Sequence, residues 1–406
     1  MSRSDQHSNG GLTSWRALSL PSRIVALSAS GSAGEAPFAQ AVAEPADWDI
    51  VVWLAARQRA ISPVFRRLGR TQPPSLRAET LDRLQRLALV GDFQLDHLHQ
   101  RLVSMLRVLR AASIDVVLLK GAGLAYSVYA KPADRPMADL DLLVRAEHAH
   151  EAWTLALANG WVRRGDVPVA RSYEEHQHLP PLEDNAGLQT GLEIHTALFT
   201  GIAPFDFTSD EVWDQARRIT VGGESVLVPS PVHQLVHCCL HFAWSHEMMF
   251  GAWRTLRDIE RLVSTGEIDW AEFVALARRS RGGSCCYWTL QLAQDLALVQ
   301  VPADVLAALA PRLPRWVLRA LAQQFAQRAF SVPADDEVNS VSLSRMLWSL
   351  GVRPGAYGHG GSRPWLDNDE PVVTADESDG AESSTVRRLM RKSVGVLRIV
   401  GQVIRA

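Results

Sequence analysis

Cysteine is scarce in this sequence, with four in 406 residues set as two vicinal pairs, Cys238-Cys239 and Cys285-Cys286. That spacing offers no CxxC for a zinc ribbon and no framework for a secreted disulfide scaffold. A reducing cytoplasm is the expected compartment, and the thiols are expected to pack as small buried apolar groups. Long apolar runs are missing too. The longest stretch free of Asp, Glu, Lys and Arg, Ser225 to His246, is broken by Pro229, Pro231 and four histidines, and reads mostly as a buried helix rather than a membrane span. Net charge is nearly absent: 42 basic against 44 acidic residues leave -2. Without an overall positive field, phosphate neutralisation does not hold the chain to nucleic acid, which disfavours a nucleic-acid-modifying enzyme. No Walker P-loop, Gly-x-Gly-x-x-Gly or Gly-x-Ser-x-Gly occurs, so dinucleotide binding and serine hydrolysis lack support.

What is present is ordinary for a folded chain: 47% hydrophobic and 21% charged residues, at a length suited to two or three compact units. Residues 1–45 are rich in Ser, Gly and Ala and read as a mostly disordered extension; the patch Ile24-Val25-Ala26-Leu27 lies too deep for a signal peptide. Over 46–112, Leu81, Leu84, Leu87, Leu95, Leu98, Leu102, Leu106 and Leu109 recur at helical spacing, a helical lead-in. The period then changes. Ile114 to Leu119 is a nearly continuous apolar run, read as a buried strand; Leu140 to Val144 is a second and Leu192 to His195 a third. Between them Glu147 to Asn159 reads as a helix closed by Gly160. These residues, 113–228, form the expected α/β core, followed by a helical region over 229–350, where Val232 to Trp253 reads as one helix. A Gly-rich and then acidic linker is expected over 351–384, and a basic amphipathic helix over 385–406.

Asp139 and Asp141 stand two apart at the start of a strand, so both carboxylates leave from one face while Leu140 and Leu142 enter the core. Like charges at that separation repel unless a cation lies between them, and hard oxygen donors suit Mg²⁺ or Mn²⁺. Removing one carboxylate should therefore relieve the metal-free protein. Glu193, in Leu192-Glu193-Ile194-His195, alternates in the same way and supplies a third acid beside His195. Three such acids suit a pair of metal ions that act on a nucleoside triphosphate.

Leu118-Leu119-Lys120-Gly121-Ala122-Gly123, then Arg135-Pro136-Met137-Ala138-Asp139-Leu140-Asp141, then Glu193-Ile194-His195 resemble the uncharacterised nucleotidyltransferase family of bacterial proteins, within the DNA polymerase β-like nucleotidyltransferase superfamily. The resemblance spans most of residues 48–280. It implies an α+β fold, a small mixed-sheet core flanked by helical regions, with Asp139, Asp141 and Glu193 as catalytic metal ligands for Mg²⁺ or Mn²⁺ and a nucleoside triphosphate as substrate. It also implies a helical C-terminal part in which His237 to His241 and Arg254 to Asp258 match family helices. His195, His241 and Asp258 stand as metal-supporting or acceptor-facing residues. The chain departs from the superfamily at the turn, which carries Lys120-Gly121 in place of Gly-Ser.

Each of these residues has two uses. Lys120 and Gly121 hold triphosphate, or Lys120 forms a salt bridge to the acids. Arg135 contacts phosphate or acceptor, or pins its loop by pairing with a carboxylate. His237 and His241 lie one helical turn apart, but no Glu follows His237, so they read as core or site-wall histidines. The activity expected is nucleotidyl transfer to a hydroxyl or phosphate of a small molecule, sugar, peptide or protein. The rival is a non-catalytic accessory protein of a biosynthetic or cell-envelope assembly. Residues 385–406, with six basic residues and no acid, add an expected peripheral contact with an anionic membrane or a protein.

Overall fold

The computed structural model describes residues 11–164, 176–188, 190–201, 203–332 and 341–352. The basic segment 385–406 and all of the acidic linker past residue 352 lie outside them.

Residues 11–45 overturn the expectation of a disordered extension. They form α1 (Leu20–Leu27) and α2 (Glu35–Ala43), with Ile24, Val25, Ala26 and Leu27 fully buried beside Phe38. The serine content was misleading because these serines are used inside. Ser22 Oγ donates to the Phe330 carbonyl at 2.7 Å, and Ser28 Oγ accepts from Trp253 Nε1 at 2.8 Å. Buried hydroxyls with partners cost little, so a polar composition here does not imply solvation.

Next come α3 (Trp48–Arg57), α4 (Ile61–Thr71) and α5 (Ala78–Ala111). The leucine series maps onto α5, a single helix of 34 residues in which Leu84, Leu95, Leu98, Leu102, Leu106 and Leu109 are buried, whereas Leu87 is exposed. The sheet region follows, with β1 (Val117–Leu118), α6 (Lys120–Ser127), β2 (Asp139–Leu143), α7 (Ala149–Ala158), β3 (Trp161–Arg163), β4 (Leu182–Asp184), β5 (Gly191–His195), α8 (Ser209–Asp214), β6 (Arg217–Val221) and β7 (Glu224–Val228). Among the described residues these strands make one mixed sheet in the order β3-β4-β5-β2-β1-β7-β6. The first strand is shorter than its apolar run. Helices α9 (Pro231–Leu240), α10 (Ala252–Ser264), α11 (Trp270–Arg279), α12 (Gly283–Ala297), α13 (Ala303–Leu309), α14 (Arg315–Ala329) and α15 (Val341–Val352) complete the described chain.

The stretch Val232 to Trp253 is not one helix. After α9 the backbone widens into a π-helical turn at His241–Ser245, and α10 begins only after Gly251, whose φ of +69° a side chain would resist.

Alternation along β2 and β5 sorts the two faces of the sheet. Leu140, Leu142, Leu192 and Ile194 enter an apolar cluster with the C-terminal half of α5 and with α7. The opposite face looks onto the helical regions, whose core runs through Ile24, Leu54, Leu235, Trp253, Trp288 and Phe325. Helices before and after the sheet thus share one core, so the expected boundaries at 112/113 and 228/229 do not separate cores. Gln58 joins them, donating to the Ala329 carbonyl at 2.8 Å and accepting from the Trp253 amide at 3.2 Å.

Candidate active site

Parallel pairing of β2 with β5 sets Asp139 opposite Gly191, Asp141 opposite Glu193, and Leu143 opposite His195. Because the register is in phase, the acids of both strands share the face toward α6, α9 and α10. Asp139, Asp141 and Glu193 all line a cavity of about 280 Å³ there.

The polar contacts converge on Asp141. Its Oδ1 accepts from Lys120 Nζ at 2.7 Å, and His195 Nε2 lies 2.9 Å from that oxygen and 3.2 Å from Glu193 Oε2. Ligand atoms of Asp141, Glu193 and His195 all fall within 4.8 Å of one another. Asp139 stands outside this group, exposed at the start of β2. Burial alone would raise the Asp141 carboxyl, but Lys120 and the hydrogen bond with His195 hold it well below the usual carboxylate range. Burial also opposes the charges on Lys120 and His195. The carboxylates outweigh it, and both stand above their ordinary values. Lys120 occupies the first position of α6 with φ at +41°, a left-handed conformation unfavourable for a residue with a side chain. That strain is stored at the site, where Nζ meets the acid.

Arg135 and Asp258, far apart in sequence, meet as a bidentate pair: Nε to Oδ1 at 3.2 Å and Nη2 to Oδ2 at 2.8 Å. Tyr129 donates to the same Asp258 at 2.6 Å, and Arg135 Nη1 donates to the Pro136 carbonyl at 3.1 Å. Of the two uses open to Arg135, the geometry supports pinning, since its fork is taken up in tying the approach to β2 onto α10. Gly121 has a packing reason as well. A Cβ there would come within 2.7 Å of Arg135 Nη1, so the glycine lets the guanidinium pass.

The far wall carries histidines. His241, in the π-helical turn, lies between His237 and His246, with ring centroids 6.0 and 4.4 Å away. Burial, helped by the Lys120 charge, pushes His237 down to about 3 and His241 well below its ordinary value. Burial and Arg254 bring His246 to about 4. Neutral imidazoles therefore face the charged acid cluster.

Residues 44–297 match the family described as uncharacterised nucleotidyltransferase. The chain belongs to that family. The match runs from just before α3 to the end of α12 and takes in every site residue described above. Neither curated proteins nor solved structures give a match.

The cavity lining also includes His178, His246 and Arg254, which the sequence reading did not single out for this site. His178 reaches it through an isolated bridge to His195, with its Nε2 3.8 Å from Glu193 Oε2. Nothing in the periodicity around Gln177-His178 marks that contact. Arg254 stood inside a segment singled out only as a family helix.

Proposed function

We propose that this nucleotidyltransferase moves a nucleoside monophosphate from a nucleoside triphosphate to a hydroxyl or phosphate oxygen of a small molecule, sugar, peptide or protein. The acceptor oxygen forms a bond to the α-phosphorus, the bond to the bridging oxygen breaks, and pyrophosphate leaves with those electrons. The acceptor's proton passes to solvent or a nearby base. The observation that carries the reading is the in-register pairing of Asp141 with Glu193 on the cavity face of the sheet, capped by Lys120 and His195.

The donor set fits a divalent ion. Asp141 and Glu193 bring two carboxylates to within 4.8 Å of each other with His195 hydrogen-bonded to both, and Asp139 adds a carboxylate on the same strand face. Asp139, Asp141 and Glu193 would hold Mg²⁺ or Mn²⁺. When bound, such an ion neutralises phosphate charge and polarises phosphoryl oxygens. The chain's own residues orient and exclude. His195 fixes the carboxylates of Asp141 and Glu193, Lys120 supplies a second positive charge beside the phosphates, and the neutral histidines wall the acceptor side.

Calorimetry with ATP, GTP, CTP and UTP, with and without Mg²⁺, tests the reading, together with pyrophosphate release in the presence of candidate acceptors. Binding of at least one triphosphate only with the divalent ion is expected. Equal binding in EDTA, or none in any condition, counts against it and favours the accessory role. Among the described residues no helix is long and apolar enough to cross a membrane.

A further inference from the structure

The cavity is lined by three cationic side chains, and two of them are already engaged: Lys120 by Asp141 and Arg135 by Asp258. The third, Arg254, has no hydrogen-bond or ion-pair partner among the described residues. Its surroundings make that costly. Arg254 lies in the first turn of α10, where the helix dipole places positive charge. The cap residue Gly251 offers no side chain, among the described residues the Trp253 amide alone is met from outside, by Gln58, and a Cβ at Gly251 would stand 3.2 Å from Arg254 Nη2. The guanidinium is thus folded back over the positive end of its own helix. Burial and the nearby Arg135 charge lower it to about 10, which still leaves it charged at neutral pH.

A second unused group lines the same cavity. His237 is 4% exposed, and its Nε2 has no hydrogen-bond partner. An unpaired guanidinium, a helix start at which Gln58 caps only the Trp253 amide, and an unsatisfied imidazole are each unfavourable alone, and each is relieved by the same kind of ligand. The relieving group bears negative charge and several acceptor oxygens.

We propose that Arg254 and the first turn of α10 form a phosphate-binding subsite of this cavity, with His237 as a further hydrogen-bonding group on the cavity lining. The subsite rests on the nucleotidyl-transfer reading only for the source of its phosphate, which belongs either to the nucleoside triphosphate or to a phosphorylated acceptor. Arginine suits the role because its planar fork meets two phosphate oxygens at once.

The test uses the full chain, titrated calorimetrically with inorganic phosphate and pyrophosphate in EDTA, then with ATP and Mg²⁺. Wild-type protein is expected to bind pyrophosphate. Arg254→Gln is expected to bind it about ten- to a hundredfold more weakly, the loss of a charge-assisted hydrogen-bonded contact, with Arg254→Lys in between. The melting temperature of ligand-free Arg254→Gln is expected to match or exceed that of wild type, since an unpaired charge is removed. ATP binding weakened by the same factor assigns the subsite to the triphosphate. Unchanged ATP binding, with inorganic phosphate still bound by the ATP-saturated wild type but not by Arg254→Gln, assigns it to the acceptor. Equal binding of all three probes by wild type and Arg254→Gln overturns the subsite and leaves metal-dependent ATP binding to stand or fall separately. So does a wild type that binds neither inorganic anion, or a melting temperature lowered in Arg254→Gln and restored in Arg254→Lys without any change in phosphate affinity. Pyrophosphate binding that depends on Arg254 in a protein that never binds ATP keeps the subsite and overturns nucleotidyl transfer.

Discussion

Lys120 Nζ lies 2.7 Å from Asp141 Oδ1, so the most buried of the three strand acids, Asp139, Asp141 and Glu193, already has a cation supplied by the chain itself. Two neighbouring acids on a strand suggest stored repulsion. Here one of them is neutralised internally, and the consequences of mutating the two diverge.

Asp141→Asn is expected to lower metal-free stability by about 3 kcal/mol, because it leaves the Lys120 ammonium without its buried partner. Asp139→Asn, at an exposed position, should change it by no more than about 0.5 kcal/mol. Urea unfolding in EDTA measures both. Equal effects of the two substitutions would argue that the repulsion expected from the sequence, and not the ion pair, governs this site. Both variants are expected to lose nucleotidyl transfer.

Lys120→Met removes the internal cation and leaves Asp141, Glu193 and His195 to share their charge. The variant should melt earlier than wild type in EDTA and gain more in melting temperature from Mg²⁺, since ligand binding to the folded state alone stabilises it. Thermal melts at several Mg²⁺ concentrations decide this. A smaller gain than wild type would mean that the acids do not take the ion.

Asp258→Asn should cost about 3 kcal/mol, because Arg135 and Asp258 are both buried and the guanidinium would lose its counter-charge. Gly121→Ala should act on the same pair from the other side, through the 2.7 Å approach of its new Cβ to Arg135 Nη1. If the two effects arise from one interaction, the double variant is less destabilised than the sum of the singles. Strict additivity in denaturant melts would separate them.

Stability should fall as pH drops below about 6.5, the value of an unfolded histidine. His237 is held down to about 3, His246 to about 4, and His241 well below its usual value, mainly by burial. The unfolded chain takes up protons that these residues refuse when folded. Their stabilisation is therefore present above 6.5 and is lost toward acid, at most about 2 kcal/mol per histidine by pH 5. Asp295 opposes the trend. Burial raises it to about 6, so the folded state keeps its proton longer than the unfolded state does, and stability falls as pH rises from about 4 to 6. Asp295→Asn should consequently steepen the acid limb in urea midpoints recorded from pH 4 to 7, and a flatter limb would contradict the balance described.

Much of the site was legible because it is local. Strand alternation places Asp139 and Asp141 on one face whatever surrounds them, and the same rule pairs Glu193 with His195. The family could be recognised from that spacing and the Lys-Gly turn, and the match over residues 44–297 bears it out. The helical character of α5 and the α+β plan follow equally from the period of the apolar residues. Other features were beyond the reach of local pattern. Residues 11–45 read as disordered because Ser and Ala look polar or featureless until a partner surface buries them, as Phe330 and Trp253 do for Ser22 and Ser28. Arg135 paired with Asp258 and Arg254 left unpaired carry the same charge in sequence. Their different fates depend on which carboxylate the fold brings within reach across more than a hundred residues. Sequence alone determined the chemistry available and the strand face it leaves from, since those follow from covalent geometry and periodicity. Tertiary structure alone decided which charge meets which, because ion pairing depends on distances of a few ångströms that only packing sets.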